Sequence, residues 1–149
     1  MLELPEQPRR VRKEDYAEIN SWLAQRNIPT IPLGLFPPTG FIAPGIAAAF
    51  LIKTDSQVGV IDYLSSNPKL NQMFTNNHID AIIRELVSEC NKENYKMVVG
   101  NTFLMQVVKR AKVLDFTQHP NQMVSFSKIL CSKEELNKPC SSEELPQKT

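Results

Sequence analysis

The sequence predicts a mixed α/β domain in which antiparallel strands come first and a parallel central pair, flanked by helices, follows. Three observations carry this. Apolar, strand-like runs are grouped between Phe41 and Leu64. From Val58 to Phe116 the pattern then reads strand, loop, amphipathic helix, strand, helix. The long helix in that series has a wide apolar stripe, and a right-handed crossover through it makes the strands at Val58 and Lys96 parallel.

The first helix is expected from Glu14 to Arg26, where Tyr16, Ile19, Asn20 and Leu23 share a face beside Trp22, and Pro29 stops it. Pro29 to Gly45 is a connector rich in proline and glycine. Ile31, Leu33, Leu35, Phe36, Phe41 and Ile42 interleave it, so it reads as ordered rather than as a flexible linker. Phe41–Ala43 and Ile46–Lys53 are two adjacent strands turned at Pro44-Gly45. The second is almost wholly apolar, which requires burial on both faces. Thr54-Asp55-Ser56 is a turn, Val58–Leu64 the next strand, and Ser65–Thr75 a polar loop.

In the helix expected over Asn76–Asn94, Ile79, Ile82, Ile83, Leu86, Val87 and Cys90 form one stripe and Asp80, Arg84, Glu85, Ser88 and Glu89 the opposite face. Lys96–Val99 is a short strand, Thr102–Val113 a helix, and Met123–Leu130 an alternating closing strand. Residues 1–130 are read as one domain and residues 131–149 as a polar, solvated and mobile tail.

The 149 residues suffice for one proper core, and 42% hydrophobic with 22% charged residues is ordinary for a globular chain. A net charge of +1 with scattered Lys and Arg argues against nucleic-acid binding. The densest basic cluster, Arg9, Arg10, Arg12 and Lys13, is diluted by Glu3, Glu6 and Glu14 and reads as a solvated surface. Cys90 lies on an apolar helix face as a small buried hydrophobe; Cys131 and Cys140 fall in the polar tail. Met1–Lys13 lacks the apolar segment of a signal peptide, and no apolar run approaches the ~20 residues that span a bilayer. No membrane association and a reducing cytoplasm are expected.

His78 reads as a helix-capping or surface residue and His119 as a turn residue. No metal site is expected from two isolated histidines. Gly-x-Ser-x-Gly and the phosphate loop of nucleotide hydrolases are both absent.

The element order from about Arg10 to Leu130 resembles that of GCN5-related N-acetyltransferases. Pro37–Leu51 is similar to acetyltransferase-like proteins of tailed bacteriophages, and Val99-Gly100-Asn101-Thr102 to internal virion proteins of some short-tailed phages. The resemblance implies an acetyl-CoA donor and an unidentified amine acceptor, in a host cytoplasm or a virion. It also implies carbonyl-polarising amides near Tyr63 and Leu64, and a pyrophosphate against Ser65, Ser66 and Asn67 in the loop before the long helix.

It further implies Asp62 as general base, with a water-facing strand-end aspartate as the alternative. Tyr63 is either the proton donor to the departing thiolate or a half-buried sheet residue. Asn101 either positions the cofactor arm or caps the following helix.

Two departures from the family stand out. Its glycine-rich phosphate loop is replaced by Ser65–Thr75, which has no glycine or arginine. Its thiolate-protonating tyrosine, followed by Gly-Phe, has no counterpart. Aligning on Phe116 puts Ala111 at the tyrosine and Asp115 at the glycine, whereas counting from Asn101 puts Val108 and Lys112 there. The departures leave two expectations: an N-acetyltransferase of weakened or lost activity, or a non-catalytic virion or host-interaction protein that keeps only the fold.

Overall fold

The computed structural model describes residues 7–102, 105–118, 128 and 130–138. A five-stranded sheet runs in chain order: β1 (Arg9–Arg10), β2 (Thr39–Ala43), β3 (Ala47–Ile52), β4 (Val58–Ser66) and β5 (Met97–Gly100). The first four strands are antiparallel to their neighbours, and β4 and β5 are parallel. Helix α1 (Tyr16–Gln25) covers one face and α2 (Gln72–Lys92) the other. Helix α3 (Met105–Val113) lies beside α2, and α4 (Lys133–Leu136) is a single turn.

Strand β3 is buried on both sides because two helices share it. Ala47, Ala49 and Leu51 pack with Ile79, Ile82, Ile83 and Leu86 of α2. Ala48 and Phe50 pack with Ile19, Trp22 and Leu23 of α1, together with Phe36. Fully burying each leucine, isoleucine or phenylalanine contributes about 1.5–3 kcal/mol. The hairpin before β3 closes as a type II turn: Pro44 precedes Gly45 at φ +76°, and the Ile46 amide donates to the Ala43 carbonyl at 2.9 Å.

Helix α2 starts four residues before the expected Asn76, because Asn71 caps it by accepting from the Met73 amide at 2.8 Å. Its first turn carries exposed Met73 and Phe74, so apolar periodicity does not mark it. Strand β4 also runs two residues past Leu64. The expected Ser65–Thr75 loop therefore contracts to Asn67–Asn71.

The basic cluster near the N-terminus is partly structural. Arg9 grips Asp15 with two bonds of 2.8 Å, while Arg10 reaches Glu89 at 2.7 Å and lies over the Phe41 ring. These contacts hold β1, which the sequence pattern did not reveal, on the sheet edge.

Helices α1, α2 and α3 each end in a residue of left-handed conformation, Asn27 (φ 57°), Asn94 (φ 60°) and Asp115 (φ 69°). The following amide reaches back five residues: Ile28 to Leu23, Tyr95 to Cys90 and Phe116 to Ala111. Asp115 thus sits in a conformation that glycine favours, with Phe116 next in the chain.

His78 is buried rather than on the surface. Its Nδ1 lies 3.0 Å from the Phe74 carbonyl and its ring tilts against Phe74. Leu136 of α4 is also buried. The closing strand expected over Met123–Leu130 lies, apart from Lys128 and Leu130, outside the described residues, as do His119 and Cys140. No described helix is long and apolar enough to cross a membrane.

Candidate functional site

The pairing of the two parallel strands ends at a defined point. Their register ends at Ile61 against Gly100, and the Asn101 amide makes the last bridge to the Ile61 carbonyl at 3.1 Å. Beyond it β4 continues to Ser66 with no β5 partner among the described residues. On its other side β4 bulges: Phe50 faces Asp62 and Ala48 faces Ser65, so Tyr63 and Leu64 together oppose Ala49. Tyr63 has φ +55°, a left-handed conformation that is a genuine outlier for a bulky side chain. Strain of that kind costs on the order of 1–3 kcal/mol and concentrates at functional sites.

Asp62, Tyr63 and Asn101 meet at this fork. The Asp62 carboxylate is half-buried and accepts from the Tyr63 amide at 2.7 Å and from the Asn101 side chain. Burial raises its pKa above the ordinary carboxylate value, and the two donors only partly oppose it. It takes part in no ion pair among the described residues. Helix α3 is described from Met105, four positions after Asn101, and the Asn101 side chain bears on the Asp62 carboxylate.

The Tyr63 ring meets Phe50 edge-on at 6.5 Å, within the α1-side cluster. Its phenol is pushed up by burial and then by the Asp62 charge, which keeps it protonated. Leu64 turns to the opposite face, into the α2-side core.

The remaining candidate residues lie apart from the fork. Ser65 and Ser66 are strand residues, paired with Ala48 and Ala47, and both are buried. The Ser65 hydroxyl has no partner among the described residues. Asn67 alone lies in the turn. It donates to the Gly45 carbonyl at 3.1 Å and accepts from the Lys69 amide at 3.0 Å.

Arg26, at the end of α1, enters from across the sheet and was not legible in the sequence. Its Nη2 donates to Ser66 Oγ at 3.0 Å and its Nε to the Ser66 carbonyl at 3.4 Å. Forty residues separate the partners, and no local pattern signals such a contact. A cleft of about 210 Å3 opens there, lined by Arg26, Ser66, Asn67, Leu70 and Gln72 among others. A larger one, about 380 Å3, runs between α2 and the end of α3 along Ile83, Val87 and Leu114. It shares no residue with the fork. No group of His, Cys, Asp or Glu suited to a metal ion occurs among the described residues.

No protein-family model matches the chain, and no curated protein matches it in sequence. Solved structures do resemble it in fold. The Mycobacterium tuberculosis protein Rv2747, in complex with CoA, superposes with a TM-score of 0.57 at 17% identity, covering 79% of this chain and 75% of its own. A Trypanosoma brucei acetyltransferase superposes with a TM-score of 0.56 at 14% identity, covering 80% of this chain and 98% of its own. A mostly antiparallel five-stranded sheet with one parallel pair, β4 and β5, flanked by helices, gives this chain the fold of the GCN5-related N-acetyltransferases.

Proposed function

We propose that this chain takes an acyl-CoA donor into the fork between β4 and β5 and passes the acyl group to an amine, with an efficiency below that of glycine-loop acetyltransferases. The observation that carries this reading is the fork itself. The end of β4 runs on past the end of β5 beside a bulge, which leaves a strand edge for an extended thioester arm. A half-buried carboxylate at its apex is suited to accept a proton.

Bound acetyl-CoA supplies an activated thioester carbonyl. The residues of this chain do the rest. Backbone at Leu64 lines the arm and polarises the carbonyl, Ser65 and Ser66 form the strand it follows, and Asn67 closes the turn. Asp62 takes the proton of the attacking amine, held in orientation by Asn101. Tyr63 holds a proton for the thiolate, since its phenol is pushed towards the neutral form.

Thermal unfolding with and without acetyl-CoA tests this. At a hundredfold excess over Kd the ligand stabilises by about 2.7 kcal/mol, a rise of roughly 5–10 °C for a chain of this size. Release of CoA thiol with a panel of amines then reports transfer. No thermal shift at millimolar acetyl-CoA rejects the reading.

A second reading is a non-catalytic protein of phage origin that keeps the fold for contacts in a virion or with a host protein. It is favoured by the inward-bonded Asn67 turn. It predicts no ligand shift.

A further inference from the structure

We propose that Arg26 holds the diphosphate of the donor, a side-chain charge replacing the backbone amides that a glycine loop would present. This inference rests on the acyl-CoA reading above and names the residue on which donor affinity depends.

Five amides of the turn between β4 and α2 and the first turn of α2 are already engaged there. The Asn67 amide donates to the Ile46 carbonyl at 2.8 Å, Lys69 to Asn67 Oδ1 at 3.0 Å and Leu70 to the Asn67 carbonyl at 3.3 Å. The Met73 amide donates to Asn71 Oδ1 at 2.8 Å and Thr75 to the Asn71 carbonyl at 3.0 Å. The two asparagine side chains thus take up the Lys69 and Met73 amides, two donors that an anion could otherwise meet. Glycine, having no side chain, would leave them open.

A guanidinium also faces the cleft. Arg26 is anchored by two donors on the fully buried Ser66. Of its five N–H groups, the Nη1 pair and the second Nη2 proton are left over. Arg26 has no carboxylate partner among the described residues, whereas Arg9, Arg10 and Arg110 each have one. Arg26 is only partly buried, so its charge stays accessible from the cleft. An un-neutralised, pre-oriented guanidinium fits the bidentate geometry of a phosphate.

The test is calorimetric binding of CoA and of pantetheine, which lacks the phosphates, to the wild type, Arg26→Gln and Arg26→Lys. Arg26→Gln keeps a donor for the Ser66 carbonyl and removes the charge. CoA affinity should fall roughly ten- to a hundredfold in Arg26→Gln, fall less in Arg26→Lys, and leave pantetheine binding unchanged. Wild-type affinity for CoA in Arg26→Gln overturns this inference and leaves the acyl-CoA reading standing. Equal weakening of CoA and pantetheine assigns Arg26 a structural role and also overturns it. A wild type that binds neither compound rejects the acyl-CoA reading itself. Should Arg26→Gln not fold, Ser66→Ala releases the anchor but keeps the charge. It should then weaken CoA and spare pantetheine, and equal losses again overturn the assignment.

Discussion

Replacing Asp62 by Asn separates the chemistry of the fork from its architecture, because the two effects have opposite signs. The carboxylate sits half-buried with two neutral donors, the Tyr63 amide at 2.7 Å and the Asn101 side chain, and no ion-pair partner among the described residues. Loss of a general base lowers turnover by roughly 10²–10⁴-fold, or about 2.7–5.4 kcal/mol of barrier. Folding stability should move the other way. Burial raises the folded-state pKa of Asp62, so the folded protein binds this proton more readily than the unfolded chain. The group's contribution to stability is therefore fully present below the unfolded carboxylate value and is lost as pH rises through the raised folded value. Above that value the ionised form opposes folding, and Asn removes this cost. Asp62→Asn should melt above the wild type at neutral pH, and the gap should close as pH falls towards the ordinary carboxylate range. Melting curves across pH and CoA-thiol release with a fixed amine measure both effects, and the Kd for acetyl-CoA should be unchanged. Wild-type turnover in the variant, or a lower Tm at neutral pH, refutes the argument. Either result would make Asp62 a hydrogen-bonding post and not a base.

Three further outcomes follow from the packing. A Cβ at Gly59 would lie 2.8 Å from Cys90 Sγ, 3.0 Å from the Tyr95 ring and 3.2 Å from Leu51. Gly59→Ala should therefore cost about 1–3 kcal/mol by overpacking, and adding Cys90→Ala should recover part of the loss; simple additivity in chemical denaturation would contradict this. Asp115→Gly relieves a left-handed aspartate at the end of α3 and should stabilise by up to about 1 kcal/mol, read from the denaturation midpoint. Gly34→Ala drives a methyl into the backbone of α4, with the Lys138 carbonyl at 2.7 Å and that of Glu135 at 2.9 Å. It should undock α4 and speed limited proteolysis around residues 131–138, and unchanged cleavage would show that α4 tolerates the shift.

Much of this architecture was legible because periodicity reports burial directly. Ala47–Ile52 is apolar throughout since helices cover both its faces, and Ile79 to Cys90 is striped since only one face of α2 meets the sheet. Periodicity fails where a turn is capped by polar atoms. Gln72–Thr75 is helical because Asn71 caps it, although Met73 and Phe74 point outward. The bulge at Tyr63 left no trace because nothing in a tyrosine announces a positive φ, and Asn or Gly would have been the expected residue there. The candidate residues divided along the same line. Asp62, Tyr63 and Asn101 converge because strand order places them together, whereas Ser65 and Ser66 fell into the ladder once β4 proved longer. Arg26 came from across the sheet, beyond the reach of any local signal.

The strand order β1-β2-β3-β4-β5 repeats the order of the chain, and this shapes how the molecule is assembled. Every antiparallel pairing except that of β1 with β2 joins strands linked by a short connection, and hairpins of that kind close within microseconds. The parallel pairing of β4 with β5 instead waits for the twenty-one residues of α2 to fold and pack. Loop-closure entropy is larger for such a pairing than for a hairpin. The fork therefore lies at a non-local seam of the sheet, where the end of β4 extends past its partner while the α1-side core is closed by other elements.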